Sequence, residues 1–404
     1  MDKEKLIPSL RFSRYKDAWE RHKLEYYLNV SNEKNTEEIF GKEDVLSVSG
    51  DYGIVNQMEF QGRSFAGAST ANYGVVNTGD VVYTKSPLKS NPFGIIKTNK
   101  GPTGIVSTLY AVYHPKENVY PDFIQVYFEQ YARMNQYMHP LVNKGAKNDM
   151  KVSDVNALKG DVVFPKIDEE KDIVKYFSSI DQLITLHKNE YDKLLIMKKA
   201  MLGKMYPKNG MNVPEIRFKG FTDPWEQHKV GDFLTVSRIQ GHTGIDAKKL
   251  TVKLWGKGVV EKTDLYGGSA NTQYYIRSAG QFMYGKLDFL HAAFGIVPES
   301  LDKYESTLDS PAFDMSGIDG QFLLNRVIQE DFYLKNGMIA NGSRKAKRIH
   351  EDTFLSMNLL VPTYEEQVFI GKLFVYLDKL ITFHQRKIEK LKNIKAGCLE
   401  KMFV

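Results

Sequence analysis

The chain has almost no cysteine, no long apolar run and only a small excess of charge. Cys398 is the one cysteine among 404 residues, which excludes a disulfide framework and a cysteine zinc site. No apolar run approaches the roughly 20 residues that span a bilayer, and the chain opens on Met-Asp-Lys-Glu-Lys, without an apolar signal segment. We therefore expect a protein of the reducing cytoplasm.

Motifs for catalysis are also missing. No Gly-x-x-x-x-Gly-Lys-Ser/Thr loop is present to hold a nucleotide phosphate. The Asn-Pro-Phe string at 91–93 is one proline short of the loop with which adenine methyltransferases hold their target, and the nine histidines show no metal spacing. A nuclease site of Asp122, Glu169 and Lys171 is an alternative, although acids at a helix start are already favoured by the dipole. We expect no catalytic residue and no metal site in this chain.

What the sequence does contain is a duplication. The lead-in Pro8, Arg11, Phe12, Asp17 and Trp19 recurs 206 residues later as Pro214, Arg217, Phe218, Asp223 and Trp225. Hydrophobic content of 42% and aromatic content of 12% suit folded units, and each copy has about 155 residues before its final helix, enough for its own core. The duplication therefore predicts two equivalent globular domains.

Each copy ends in a heptad pattern, at 173–205 and, 197 residues later, at 370–402. Steps of four and three keep one stripe of side chains facing a partner helix. His187 and His384 interrupt both stripes; we favour a role in register over a pH sensor. The apolar residues expected to pair the helices are Ile173, Phe177, Ile180, Ile184, Tyr191 and Leu194 in the first copy and Ile370, Phe374, Leu377, Ile381, Ile388 and Leu391 in the second.

These patterns predict an α+β protein with an internal pseudo-two-fold repeat. Two β-rich domains at 1–166 and 207–363 would be held apart by two long helices at 167–206 and 364–404. The chain passes through a whole domain between the helices, so we expect an antiparallel coiled coil that places Ile173 near Met402 and Ile184 near Leu391.

This arrangement resembles the specificity subunit of type I restriction-modification systems. The local marks are Pro-Glu-Ile-Arg-Phe-Lys-Gly-Phe at 214–221, Gly-Asp-Val-Val-Tyr at 79–83, Pro-Thr-Tyr-Glu-Glu-Gln at 362–367 and Leu-Asp-Lys-Leu-Ile at 377–381. The first copy departs at 165–170, where the glutamine is missing, and Ala-Gly-Gln at 279–281 replaces Gly-Asp in the second. Neither departure touches a catalytic group.

The resemblance implies a non-catalytic chain whose two target-recognition domains read the halves of a bipartite double-stranded DNA sequence. It further implies two modification subunits that bind S-adenosylmethionine and two restriction subunits that use ATP and Mg²⁺. An alternative is an adaptor that holds two protein ligands a helix length apart. Loss of duplex binding with added salt would favour DNA recognition.

Basic and amide side chains near turns are the candidate DNA contacts, since arginine and lysine bind phosphates and guanine edges. The densest cluster precedes the last strand of the second domain, with Arg344, Lys345, Lys347 and Arg348. The matching loop of the first domain has Lys144, Lys147 and Lys151. Further candidates are Lys85, Lys89, Asn91 and Lys97 in the first domain and Arg238, Gln240, His242 and Lys286 in the second.

Overall fold

A computed structural model describes residues 6–88, 91–144, 150–208, 210–244, 246–263, 271–338 and 348–404. The chain forms two compact units. Unit 1 contains 1–187 and 386–404, and unit 2 contains 188–385. Each of the two long helices is divided between the units, so unit 1 is made of two separate stretches of chain and unit 2 of one continuous stretch.

Unit 1 consists of short strands and helices that precede a long helix. Its strands are β1 (Glu20–Lys23), β2 (Leu28–Val30), β3 (Leu46–Ser49), β4 (Gly53–Asn56), β5 (Gly74–Val76), β6 (Val81–Thr84), β7 (Ile96–Thr98), β8 (Gly104–Val106), β9 (Tyr110–Pro115), β10 (Asn143–Lys144), β11 (Met150–Lys151) and β12 (Asp161–Phe164). Its helices are α1 (Gln57–Gln61), α2 (Pro121–Phe128), α3 (Tyr131–Met138) and the first part of α4 (Ile167–Lys204).

Unit 2 has a similar order of elements. Its strands are β13 (Glu226–Lys229), β14 (Leu234–Ser237), β15 (Ile239–Thr243), β16 (Leu250–Val252), β17 (Val259–Glu261), β18 (Gln273–Ile276), β19 (Phe282–Tyr284), β20 (Phe294–Ile296), β21 (Glu305–Ser306), β22 (Ala312–Met315) and β23 (Asn358–Val361). Its helices are α5 (Gly320–Val327), α6 (Glu330–Gly337), α7 (Glu351–Leu355) and the first part of α8 (Tyr364–Lys401).

A four-stranded antiparallel sheet forms the centre of each unit. Its order is β2-β9-β6-β7 in unit 1 and β14-β22-β19-β20 in unit 2. Strand β6 is buried along its whole length, and its aromatic and β-branched residues suit a strand covered on both faces. A second sheet lies beside each centre, β5-β8 in unit 1 and β15-β18-β21 in unit 2. The mixed class of helices and strands predicted from the sequence is confirmed.

The lead-in of each copy is tied to the start of a long helix by a buried ion pair. Arg11 Nε and Nη2 donate to the two carboxylate oxygens of Glu169, both at 2.7 Å. Arg217 makes the same two bonds to Glu366, also at 2.7 Å. A two-pronged guanidinium–carboxylate pair fixes orientation as well as distance.

Within each unit, segments of the two long helices run in opposite directions. In unit 1 the Tyr176 hydroxyl lies 3.4 Å from Cys398 Sγ, and Asp181 bonds Lys395 at 2.7 Å. Residue numbers therefore rise along one helix as they fall along the other. In unit 2 Lys198 bonds Asp378, a pair equivalent to that of Asp181 with Lys395 but with the two helices exchanged.

Residues of the heptad stripes, here called seam residues, enter the core of each unit from both helices. Ile173 and Met402 belong to the core of unit 1, whereas Met205 and Ile370 belong to that of unit 2. The other predicted seam positions are buried or half-buried. Among the described residues, no helix is both long enough and apolar enough to cross a membrane.

Candidate nucleic-acid interface

Equivalent lysines in the two units make equivalent ion pairs. Lys85 follows β6 and bonds Asp154 at 2.9 Å, whereas Lys286 follows β19 and bonds Glu351 at 2.8 Å. Lys286 is buried. Burial alone would raise the pKa of Glu351, but the hydrogen bond from Lys286, a backbone hydrogen bond and the charges of Lys286 and Arg238 together lower that pKa. Both lysines thus stabilise the fold locally, and DNA contact by them stays a prediction.

Two candidate arginines of unit 2 lie around this pair. Arg238 links β14 to β15, is 61% exposed, and has Nη2 3.7 Å from Glu351 Oε1. Arg348 bonds Asp309 at 3.3 Å. Lys286 is joined to both acids, because its amide donates to the Asp309 carbonyl and its ammonium bonds Glu351. The structure therefore brings Arg238, Lys286 and Arg348 into one network.

Strand β15 continues from Arg238 as an exposed polar strand. Gln240 is exposed, and its Nε2 donates to Gln273 Oε1 at 3.2 Å. The His242 side chain is 64% exposed, and its Nδ1 lies 2.5 Å from Oε1 of the buried Glu305. A strand that presents amide and imidazole groups at the surface offers several hydrogen-bond donors to DNA.

The candidates of unit 1 are less exposed. Lys97 lies in β7 with only 7% of its surface accessible, and burial lowers the pKa of its ammonium group. Asn91 is half-buried in a turn, where its backbone pairs with that of Leu88. The buried position of Lys97 follows from the full burial of β7, which the sequence did not reveal.

The other candidates lie in strands β10 and β11 or outside the described residues. Strands β10 and β11 pair Lys144 with Met150 and Asn143 with Lys151, but nothing is described of the Lys144 and Lys151 side chains. The remaining predicted contacts lie outside the described residues: Lys89, Lys147, Arg344, Lys345 and Lys347.

The buried residues beneath β15 were not predicted from the sequence. Glu305 and Arg277 are 2% and 0% exposed. Arg277 donates to Ser306 Oγ at 2.7 Å and to the Ser237 carbonyl at 3.0 Å, and burial lowers its pKa to about 10. The one available signal was Gly241 inside a strand, since such a glycine often marks a bulge or a close approach.

No cluster of three or more potential metal ligands occurs among the described residues. The described residues combine exposed basic and amide side chains with long paired helices in a duplicated frame. These are the features of a binding scaffold with two similar bodies.

The fold of this chain is similar to that of proteins of known structure. No protein-family model matches the sequence. The fold is that of the type I restriction-modification system S subunit from M. genitalium, with a TM-score of 0.52 over 98% of this chain and 99% of that chain at 10% identity. The resemblance predicted from the sequence is confirmed at the level of the fold.

Two further structures are similar over nearly the whole chain. The HsdS subunit from Thermoanaerobacter tengcongensis is 14% identical, with a TM-score of 0.48 over 97% of this chain and 98% of that chain. A chain from work on complex assembly and conformational transition of the type I R-M system is 13% identical, with a TM-score of 0.49 over 95% and 97%.

Proposed function

We propose that this chain is the DNA-specificity subunit of a type I restriction-modification complex. It reads a bipartite double-stranded target and directs methylation or cleavage by partner subunits. The supporting observation is the whole-chain likeness of its fold to the M. genitalium S subunit. The duplicated frame agrees with this role, because two similar bodies suit two half-sites.

The chemistry in this proposal belongs to the partners. Two modification subunits bind S-adenosylmethionine, and two restriction subunits use ATP and Mg²⁺. The chain itself has no catalytic role and acts in the cytoplasm. Support for the non-catalytic role comes from the sequence, which lacks nucleotide-binding and methyltransferase motifs.

The test is reconstitution with the modification subunits, followed by duplex binding and methylation mapping. We expect methylation at two half-sites separated by a constant number of unread base pairs. We also expect affinity to fall steeply between 50 and 200 mM salt, roughly 10³-fold or more if at least six phosphates are contacted. A complex that binds protein ligands but no duplex at low salt would instead favour the adaptor function.

Substitution of Arg238 tests the surface assigned to unit 2. Arg238→Ala should weaken binding by about 1–3 kcal/mol if the guanidinium reads a base, and by less if it contacts a phosphate. Lys335→Ala, at an exposed position of α6, is the matched control for loss of one positive charge. Equal effects of the two variants would show that only net charge matters.

A further inference from the structure

A bulge in β15 sets the position of His242. Gln240 pairs with Tyr275 and Thr243 with Gln273, so Gly241 and His242 together oppose a single residue of β18. Such a bulge locally bends a strand and re-aims its side chains. The backbone around His242 therefore departs from regular strand geometry.

Two side chains hold this bulge in place. The buried Glu305 accepts the His242 backbone N–H at 2.8 Å with Oε2, while its Oε1 lies 2.5 Å from Nδ1 of the same residue. Gln273 Nε2 donates to the carbonyls of Gly241 at 2.9 Å and His242 at 3.3 Å. The imidazole is thus fixed through its ring and through its backbone.

Gly241 is required for this approach. A Cβ atom at this position would lie 2.3 Å from Glu305 Oε2, far inside van der Waals contact. The absence of a side chain lets a carboxylate from β21 reach beneath the bulge. Glycine inside a strand commonly has this role.

Unit 1 shows that the strand itself does not need a carboxylate here. Ile105 pairs with Val75 and bridges to Val45, as Glu305 pairs with Ile276 and bridges to Lys249. Ile105 is fully buried, so an apolar side chain satisfies the equivalent position. The strand therefore does not require a carboxylate at this position, and in unit 2 the carboxylate binds His242.

The chemistry of the pair defines which edge of the ring is free. An ionised carboxylate only accepts hydrogen bonds, so Nδ1 carries a hydrogen and Nε2 is the remaining edge. A buried carboxylate needs a compensating cation. The hydrogen bond and charge of Glu305 raise the pKa of His242, and Asp246 in the following loop adds to the effect.

Other charged side chains near the pair do not replace this interaction. Lys248 offers its backbone carbonyl to the Glu305 amide at 2.6 Å, and its side chain is exposed. The Lys249 ammonium lies over the Tyr274 ring, 5.2 Å from its centroid. Among the described residues, His242 is therefore the basic side chain that bonds Glu305, and 64% of its side chain is open to solvent.

We propose that His242 is a DNA-contacting cation of unit 2, held by Glu305 as its positioning residue, whose Nε2–H donates to a phosphate oxygen or a guanine edge. The inference rests on the proposed function. It adds a named contact and makes DNA affinity depend on pH through one side chain. Affinity should be higher where the imidazole is protonated and should fall as the pH rises through its titration.

The first test compares DNA affinity of the reconstituted complex across pH 6 to 9. His242→Gln should weaken binding about tenfold at pH 6.5, the size expected of one charge-assisted hydrogen bond, and much less at pH 9. His291→Gln is the matched control, because His291 is 53% exposed and lies 3.6 Å from the exposed Asp288. The control should leave affinity unchanged at every pH.

Two duplexes separate the possible acceptors. An equal loss on the target and on an unrelated duplex, with a salt slope reduced by about one, would identify a phosphate. A loss confined to the target would identify a guanine edge. Either result supports the contact, whereas wild-type affinity of His242→Gln at all pH values would overturn it.

The second test addresses the positioning role. In histidine-labelled chain, the NMR signal that disappears in His242→Gln should titrate above the ordinary pKa of 6.5, and Glu305→Gln should lower that midpoint. The pH profile of DNA binding should move with it. An ordinary His242 midpoint in the wild type would overturn the role even if Glu305→Gln failed to fold. If the wild-type complex bound no duplex, the proposed function would fail, and this inference with it.

Discussion

The first turns of the two long helices each contain the same kind of arginine–glutamate ion pair, but they differ at the residue that follows the glutamate. Glu170 in unit 1 and Gln367 in unit 2 follow Glu169 and Glu366, and both are almost fully buried. Gln367 accepts the Asp319 amide at 3.0 Å and donates to the Pro362 carbonyl at 3.0 Å. Glu170 likewise accepts an amide, that of Tyr120, at 2.6 Å.

The difference shows how an acid can stand where the other copy has an amide. Glu170 Oε1 has no hydrogen-bond partner among the described residues. Burial raises the pKa of Glu170 to about 8, despite the opposing bond from Tyr120. The raised pKa favours the protonated carboxyl, which is neutral and has one acceptor and one donor, as the amide of Gln367 does. The first copy thus has, in place of the glutamine, an acid whose pKa is raised by burial.

The largest effect should come from breaking the ion pair that the copies share. Arg11→Ala and Arg217→Ala each leave a buried carboxylate without its cation, so each should lower the free energy of unfolding by about 3–5 kcal/mol. Urea titration measures this, and Arg217→Met with Glu366→Gln should recover much of the loss. Unequal losses at the two sites would show that the frames are not energetically equivalent.

Placing an acid in unit 2 should reproduce the behaviour of unit 1. Gln367→Glu introduces a group that is neutral when folded but ionised when unfolded above its ordinary pKa. The unfolding free energy should therefore drop by about 2–4 kcal/mol at pH 8 and by little at pH 4.5. Equal destabilisation at both pH values would point to a steric cause.

The reverse exchange should stabilise unit 1. The pKa of Glu170 rises from 4.5 to about 8 on folding, so the stability it contributes is fully present below pH 4.5. That contribution is lost as the pH rises toward 8. Above pH 8 the unfolding free energy no longer changes with the titration of this group. Glu170→Gln removes the proton exchange, and we expect a gain of about 2–4 kcal/mol at pH 8 with no gain at pH 4.5. Unfolding curves at the two pH values measure this, and an unchanged pH dependence would contradict protonation of Glu170.

The smallest expected effect on stability is the difference between Lys198 and Lys395, the equivalent lysines of the two heptad stripes. Lys395 bonds both Glu129 and Asp181 and is 14% exposed, whereas Lys198 bonds Asp378 and is 21% exposed. Lys395→Met should lower the unfolding free energy by about 1–2 kcal/mol, and Lys198→Met by about 1 kcal/mol or less. High salt should reduce both losses, and the order of the two variants is the informative result.

Much of the frame could be predicted because it depends on periodic or repeated residues. The heptad stripe predicts long helices wherever its apolar positions occur, and α4 and α8 span Ile167–Lys204 and Tyr364–Lys401. The shared lead-in indicated a common role for Arg11 and Arg217, although not the acids that they bind. Those acids are far away in the chain, so only folding brings them to the arginines.

The candidate site was harder to predict because exposure and pairing are properties of the folded chain. Lys97 and Lys286 look like surface cations in the sequence, yet both are buried, the latter against Glu351. In the sequence Glu305 looks like an ordinary polar residue of a strand. Only the order of strands in the sheet places it beneath Gly241 and His242.

The duplication, the class of fold and the periodic helices follow from the order and spacing of residues along the chain. Which charges meet and which remain in water depends on the folded arrangement. A carboxylate at 170, 305 or 351 has the same chemistry in the unfolded chain. In the folded chain burial raises the pKa of Glu170, while Glu305 is paired with a histidine and Glu351 with a lysine. Ionisation in a low-dielectric interior depends on neighbours that folding supplies.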